Sequence, residues 1–301
     1  MIISYFNNTK PINIVFLSII LSVLVFISYY INGNILISIQ SLEKYVLIIS
    51  TFFLFNFIIK DKIVSSKNQF SIFYYVIFSG LFYTSFLNLN IIISNIFIIL
   101  ALKQLFDLSH KDVETTKNLF NNGLLIGLAY LFYPITIIFI LLSFVGIIIF
   151  NKISWKSFLI PIIGFIVPLI FVYVINDFFK LSLIKNNAPI IIFNNLLIYS
   201  SIIFKLILVF TTILLIWSIT IIFLNINSEL IFYKDYNVLI MLLLILSIII
   251  FFYTSDISNT IFLILPISII ISNATTLIHR KWIINLILTV LIIFLILNYI
   301  F

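Results

Sequence analysis

Three carboxylates, Glu43, Asp177 and Asp256, interrupt an otherwise apolar chain, and three lysines, Lys180, Lys185 and Lys205, accompany them. Carboxylates gathered at one membrane face can act as a general base or bind a divalent cation. Lysines beside them can hold a lipid phosphate or pyrophosphate as point charges. On this reading Glu43, Asp177 and Asp256 are the candidate catalytic residues, and Lys180, Lys185 and Lys205 the candidate substrate-binding ones. The competing reading makes all six loop solubilisers and headgroup anchors, since nothing in the sequence shows that they converge. Lys205 is the most unusual: within LLIYSSIIFKLILVF its charge must snorkel outward or find a partner.

Other chemistries are poorly supplied. The chain has no cysteine, which excludes disulfides, thiolate metal sites and a cysteine nucleophile. His110 and His279 are its two histidines, too few for an all-protein histidine metal site. There is no phosphate-binding glycine loop, no GxGxxG, no HExxH and no serine nucleophile elbow. No organic cofactor is therefore expected, and a divalent cation only if the carboxylates catalyse. None of the nine acidic residues lies in the middle of an apolar run, which counts against an ion-coupled transporter. The mixed-charge stretch DLSHKDVETTKNLF reads as a short interfacial helix or a partner contact, started by Asp112 or a threonine cap.

The elements that must position these residues are apolar throughout. Of 301 residues 64% are hydrophobic and 8% charged, with a mean hydropathy of +1.34. A soluble domain carries roughly a quarter charged residues. Repeated apolar runs of about 20 residues mean helices in a bilayer. The runs fall near 12–31, 45–59, 70–87, 89–102, 119–133, 134–150, 157–176, 203–224, 237–253, 258–278 and 282–300. The expected fold is an all-α polytopic membrane bundle of about eleven helices, ten to twelve by this spacing. It forms a single transmembrane domain over 1–301, with no soluble domain. The first run has no small-residue cleavage motif after it and reads as a retained helix.

The stretch 119–150 decides the topology. As one helix it would be about 48 Å long against a hydrocarbon core of about 30 Å. Two short arms of roughly 22–25 Å, joined at Tyr133-Pro134, fit better, either as a re-entrant pair or as a double crossing that thins the local bilayer. The lysines agree. With the N-terminus inside and a hairpin at 119–150, twelve basic residues fall on inner segments and four (Lys44, Lys180, Lys185 and Lys205) on outer ones. The abundance of Lys, Ile, Asn and Phe, residues with AT-rich codons, points to a low-GC bacterial genome. The expectation is therefore a bacterial inner-membrane protein with a cytoplasmic N-terminus and a periplasmic C-terminus.

Gly123 and Gly127 lie four apart on one helix face, where small residues admit a neighbouring helix; a substrate groove is the other reading. Pro161, Gly164 and Pro168 predict a kinked helix with freed carbonyls. The segment NAPIIIFNNLLIYSS reads as an outer-leaflet interfacial or re-entrant helix.

Four stretches, SYFNNTKPIN, ISNIFIILALKQLFDLS, LFNNGLLIGLAYLFYP and SWKSFLIPIIGFIVP, resemble an uncharacterised polytopic inner-membrane family of Bacteroidota. The loop, GLLIGLAYLFYP and short return helix are also similar to the hairpins of GT-C glycosyltransferases. That likeness implies transfer from polyprenyl-phosphate sugars, with an acidic residue in the first outer loop; here that loop offers Glu43. The function expected is a non-catalytic subunit or scaffold of an envelope-building or export system, contacting membrane lipids and protein partners but no nucleic acid. A GT-C-like transferase or carrier is the alternative, and a lipid or small-solute transporter the third.

Overall fold

A computed structural model describes residues 11–31, 39–60, 70–109, 114–179, 201–224, 231–254, 256–278 and 280–300. Among them are eleven α-helices: α1 (Pro11–Ile31), α2 (Ile39–Lys60), α3 (Phe70–Leu81), α4 (Leu89–Phe106), α5 (Thr115–Phe132), α6 (Ile140–Ile149), α7 (Trp155–Phe179), α8 (Ile202–Leu224), α9 (Ile231–Tyr253), α10 (Ile261–Leu277) and α11 (Lys281–Ile300). Short 3₁₀ turns at Tyr83–Phe86, Asp107–Ser109, Pro134–Phe139 and Ile257–Thr260 join or extend them. Eight of the helices are long and apolar enough to cross a bilayer. The protein is a multi-pass, membrane-embedded helix bundle.

Position within the bundle follows from what each helix exposes. The α10 segment is buried over 83% of its span and α7 over 22%, so α10 is the central post and α7 a flank. Around α10 pack α3, α8 and α9. The outward face of α7 carries Ile163, Ile170, Phe171 and Val174, all exposed, as a lipid-facing helix requires.

The hairpin is present and its arms are longer than the sequence predicts. The rising arm α5 has 18 residues, about 27 Å at 1.5 Å per residue. The returning arm starts with a six-residue 3₁₀ turn and continues as the ten-residue α6. The 3₁₀ rise of 2.0 Å stretches that arm to about 27 Å as well. Tyr133 between them is extended, at φ −146° and ψ 98°, the conformation that a following proline imposes. Asn151 ends the return: at φ 53° it lets Lys152 N–H reach the Ile147 carbonyl at 2.9 Å and its own N–H reach Ile148 at 3.2 Å.

Three expectations are corrected here. Thr115–Phe120 is not part of a separate interfacial helix but the start of α5, continuous with the apolar arm. Glu114 occupies the cap position without a side-chain cap bond, and its carboxylate lies 3.9 Å from Lys117 instead. Asp112 lies outside the described residues, as does nearly all of the proposed interfacial segment 187–201. Glu43 is not in a loop, because α2 begins at Ile39. The last turn of α7 likewise takes in Asp177.

Candidate functional site

Polar side chains buried in an apolar bundle are costly unless paired, so each reveals a joint or a site. One such joint is Asn122 on α5, fully buried. Its Nδ2 donates to the Ala101 carbonyl of α4 at 2.8 Å, and its Oδ1 accepts from Ser143 Oγ of α6 at 2.5 Å. One side chain thus ties both hairpin arms to α4. A second joint repairs a proline. Pro266 inside α10 has no N–H for the Phe262 carbonyl, and the Ser247 hydroxyl of α9 lies 3.0 Å from that carbonyl. Asn298 of α11 donates at 3.0 Å to the Leu81 carbonyl, in the unsatisfied last turn of α3. Asn273 donates to Asn237 Oδ1 at 2.9 Å, joining α10 to α9.

Glycine makes the tightest contact. A Cβ on Gly123 would sit 2.1 Å from the Pro161 carbonyl oxygen, and one on Gly127 2.5 Å from that of Phe165. From the other side, a Cβ on Gly164 would lie 2.3 Å from the Phe120 carbonyl oxygen. Backbones of α5 and α7 therefore touch directly, and the packing reading of Gly123 and Gly127 is the one the structure adopts.

The two ends of the bundle are distinct. At one end the turn Tyr83–Phe86 packs against Ile257–Thr260, and Tyr133 joins them. Asn259, fully buried, donates from Nδ2 to the Tyr133 hydroxyl at 2.9 Å and also contacts Thr254 Oγ1. Asp256 caps the 3₁₀ turn, accepting from Ser258 N–H at 2.8 Å. Burial pushes the Tyr133 hydroxyl above its ordinary value of 10; its bonds to Asn259 and Thr254 work the other way, and the nearby Asp256 charge adds to the rise. Among the described residues Asn259 Oδ1, Thr84 Oγ1 and Ser85 Oγ have no hydrogen-bond partner. At the opposite end the Tyr236 hydroxyl donates to Ser109, and its ring packs edge-on against Phe106 and Phe150.

The residues expected to do chemistry are distributed among these features. Asp256 belongs to the first cluster. Glu43 is exposed in the second turn of α2, beside an apolar groove shared with α4. Asp177 is exposed near the end of α7, a helix that packs on α5 and α6. Lys205 is half-buried in the first turn of α8. Lys180 and Lys185 lie outside the described residues. Among the described residues no three acidic or histidine side chains are grouped to hold a metal ion. Sequence reasoning did not single out Asn122, Asn259 or Ser247. The available signal was a polar residue placed opposite a proline or inside an apolar run.

Residues 7–301 match the model of a family of unknown function, DUF6427. The chain belongs to that family. No curated protein and no solved structure matches it. The family match covers all eleven described helices, so the hairpin, the Asn122 joint and the Tyr133–Asn259 cluster all lie within the matched length.

Proposed function

We propose that this family member is a non-catalytic scaffold subunit of a bacterial inner-membrane system that builds or exports envelope components, with its N-terminus cytoplasmic and its C-terminus periplasmic. The observation that carries this reading is the use made of Asn122. A buried amide able to bind a ligand is committed at 2.8 Å and 2.5 Å to two other helices. Ser247, Asn273 and Asn298 are committed in the same way. Polar groups spent on joints make a stiff frame, and a stiff frame with apolar flanks suits the assembly of partner helices and lipids. Native mass spectrometry of gently extracted protein tests it: a stoichiometric partner chain is expected. A retained polyprenyl-phosphate that is lost on Lys180→Ala or Lys185→Ala would replace the scaffold by an enzyme or carrier.

A transferase acting on polyprenyl-linked sugars is the second reading, and the Tyr133–Asn259 cluster favours it. Asn259 Oδ1, which has no hydrogen-bond partner among the described residues, would serve as an acceptor for a sugar hydroxyl. Asp256 stands beside it, while Glu43 and Asp177 would have to reach the same substrate.

A further inference from the structure

Between α2 and α4 the bundle carries an open groove of about 520 Å³, lined by Leu42, Glu43, Val46, Leu47, Leu89 and Ile93. Five of the six are aliphatic, and Glu43 is the exception. The groove lies beside the first turns of two membrane spans, Ser41–Ile59 and Leu89–Ser109. First turns sit at the depth where hydrocarbon gives way to headgroups, so apolar lining and one charge share a single boundary.

Charges of both signs stand near this groove, Glu43 in its lining and Lys44 through its bond to Leu87, two residues before the lining Leu89. Glu43 is exposed and makes no ion pair among the described residues. Next to it Lys44 donates from Nζ to the Leu87 carbonyl at 2.6 Å, which leaves two of its three N–H donors for other acceptors. That bond holds the ammonium close to the start of α4, whose first residue, Leu89, lines the groove. Asn88 caps α4 by accepting from Asn90 N–H at 3.2 Å, and the positive end of an 18-residue helix opens beside Lys44. A cation beside a helix start, a carboxylate with no ion pair among the described residues and an aliphatic trough therefore lie near one another.

We infer that the groove binds a bilayer phospholipid whose headgroup carries both a phosphate and a primary ammonium. An acyl chain lies along Leu42, Val46, Leu47, Leu89 and Ile93. The phosphate takes the free donors of Lys44 at the start of α4, and the ammonium donates to the Glu43 carboxylate. A purely anionic lipid would satisfy Lys44 but face the Glu43 charge. A partner helix would fill the trough and leave the carboxylate unmatched at its mouth. The zwitterion answers both charges. This site does not depend on the scaffold reading, and either can fail alone.

The test uses the full chain in nanodiscs of equimolar phosphatidylethanolamine and phosphatidylglycerol, with retained lipid counted by native mass spectrometry. Phosphatidylethanolamine is expected to be retained about fivefold over phosphatidylglycerol, the ratio equivalent to one interfacial charge contact. Glu43→Gln, an isosteric change at an exposed position, should bring the ratio to about one while the protein stays folded. Lys44→Gln should lower retention of both lipids. Equal retention by the unaltered protein, or an unchanged ratio in Glu43→Gln, overturns the proposal. A photoreactive side chain at Val46 gives an independent arm. Crosslinks to lipid support the site, and crosslinks to a protein chain, a second copy included, overturn it.

Discussion

Ser247 and Pro266 form a pair whose meaning is visible one atom at a time. An α-helix leaves the carbonyl four residues before a proline without its N–H, and in α10 that carbonyl belongs to Phe262. Inside a bilayer no water satisfies it, so the Ser247 hydroxyl, 3.0 Å away, takes the place of the lost donor while also lying 2.8 Å from Leu243 O. Truncating this hydroxyl should therefore cost more when the proline is present than when it is not. Ser247→Ala is expected to destabilise by about 1 kcal/mol, in the range of measured membrane hydrogen bonds. In a Pro266→Ala background the backbone N–H regained by the substitution satisfies Phe262, and the same serine truncation should cost less than about 0.3 kcal/mol. Unfolding of the four proteins in mixed micelles measures the cycle. Equal serine costs in both backgrounds would mean that Ser247 merely packs.

At the scale of elements, hydropathy foretold far more than side-chain chemistry did. Eleven apolar runs correspond to the eleven described helices because lipid and protein interior both select apolar side chains, whichever neighbour each helix meets. Helix starts were less legible: NILISIQSLEK looks polar, yet α2 begins at Ile39 and draws Glu43 into a helix. Partnerships were not legible at all. The GLLIG spacing announces that some helix approaches closely, but not that its partner is α7 or that Pro161 and Phe165 supply the facing carbonyls. That approach is testable by contrast between glycines. Gly123→Ala must push the α7 backbone away from a Cβ only 2.1 Å from the Pro161 carbonyl oxygen, whereas a Cβ on Gly80 meets the flexible ends of Leu24 and Leu295 at 3.0 Å. Gly123→Ala should destabilise by about 2–3 kcal/mol. Gly80→Ala should fall within about 1 kcal/mol of neutral, because helix propensity offsets a small side-chain shift. Once Gly123→Ala has separated the helices, adding Gly164→Ala should cost much less than it does alone. Additive losses would show that α5 and α7 are not in backbone contact.

For the whole molecule, parity governs which groups share an end. Tyr133 at the hairpin tip bonds Asn259, and Tyr83–Phe86 packs on Ile257–Thr260, so three turns distant in sequence meet at one end. Phe106, Ser109, Phe150 and Tyr236 meet at the other. Residues 109 and 150 can share an end only if the chain between them runs up and back. An even number of crossings there is also what the lysine distribution demands. That expectation, drawn from the sequence alone, puts twelve basic residues on inner segments and four on outer ones. Even the 3₁₀ start of the return arm serves this count, since it adds the length that ten α-helical residues lack. The absence of cysteine makes the prediction clean. Single cysteines at Thr116 and Asn151, both exposed, should resist a membrane-impermeant maleimide in intact cells and react after permeabilisation. A cysteine at Leu87, exposed at the opposite end, should react without permeabilisation. Reaction of Thr116→Cys or Asn151→Cys alone would abolish the hairpin as a double crossing. Reaction of both with protection of Leu87→Cys would keep the hairpin and invert the proposed orientation, placing the Glu43 groove and the Tyr133–Asn259 cluster on the cytoplasmic side.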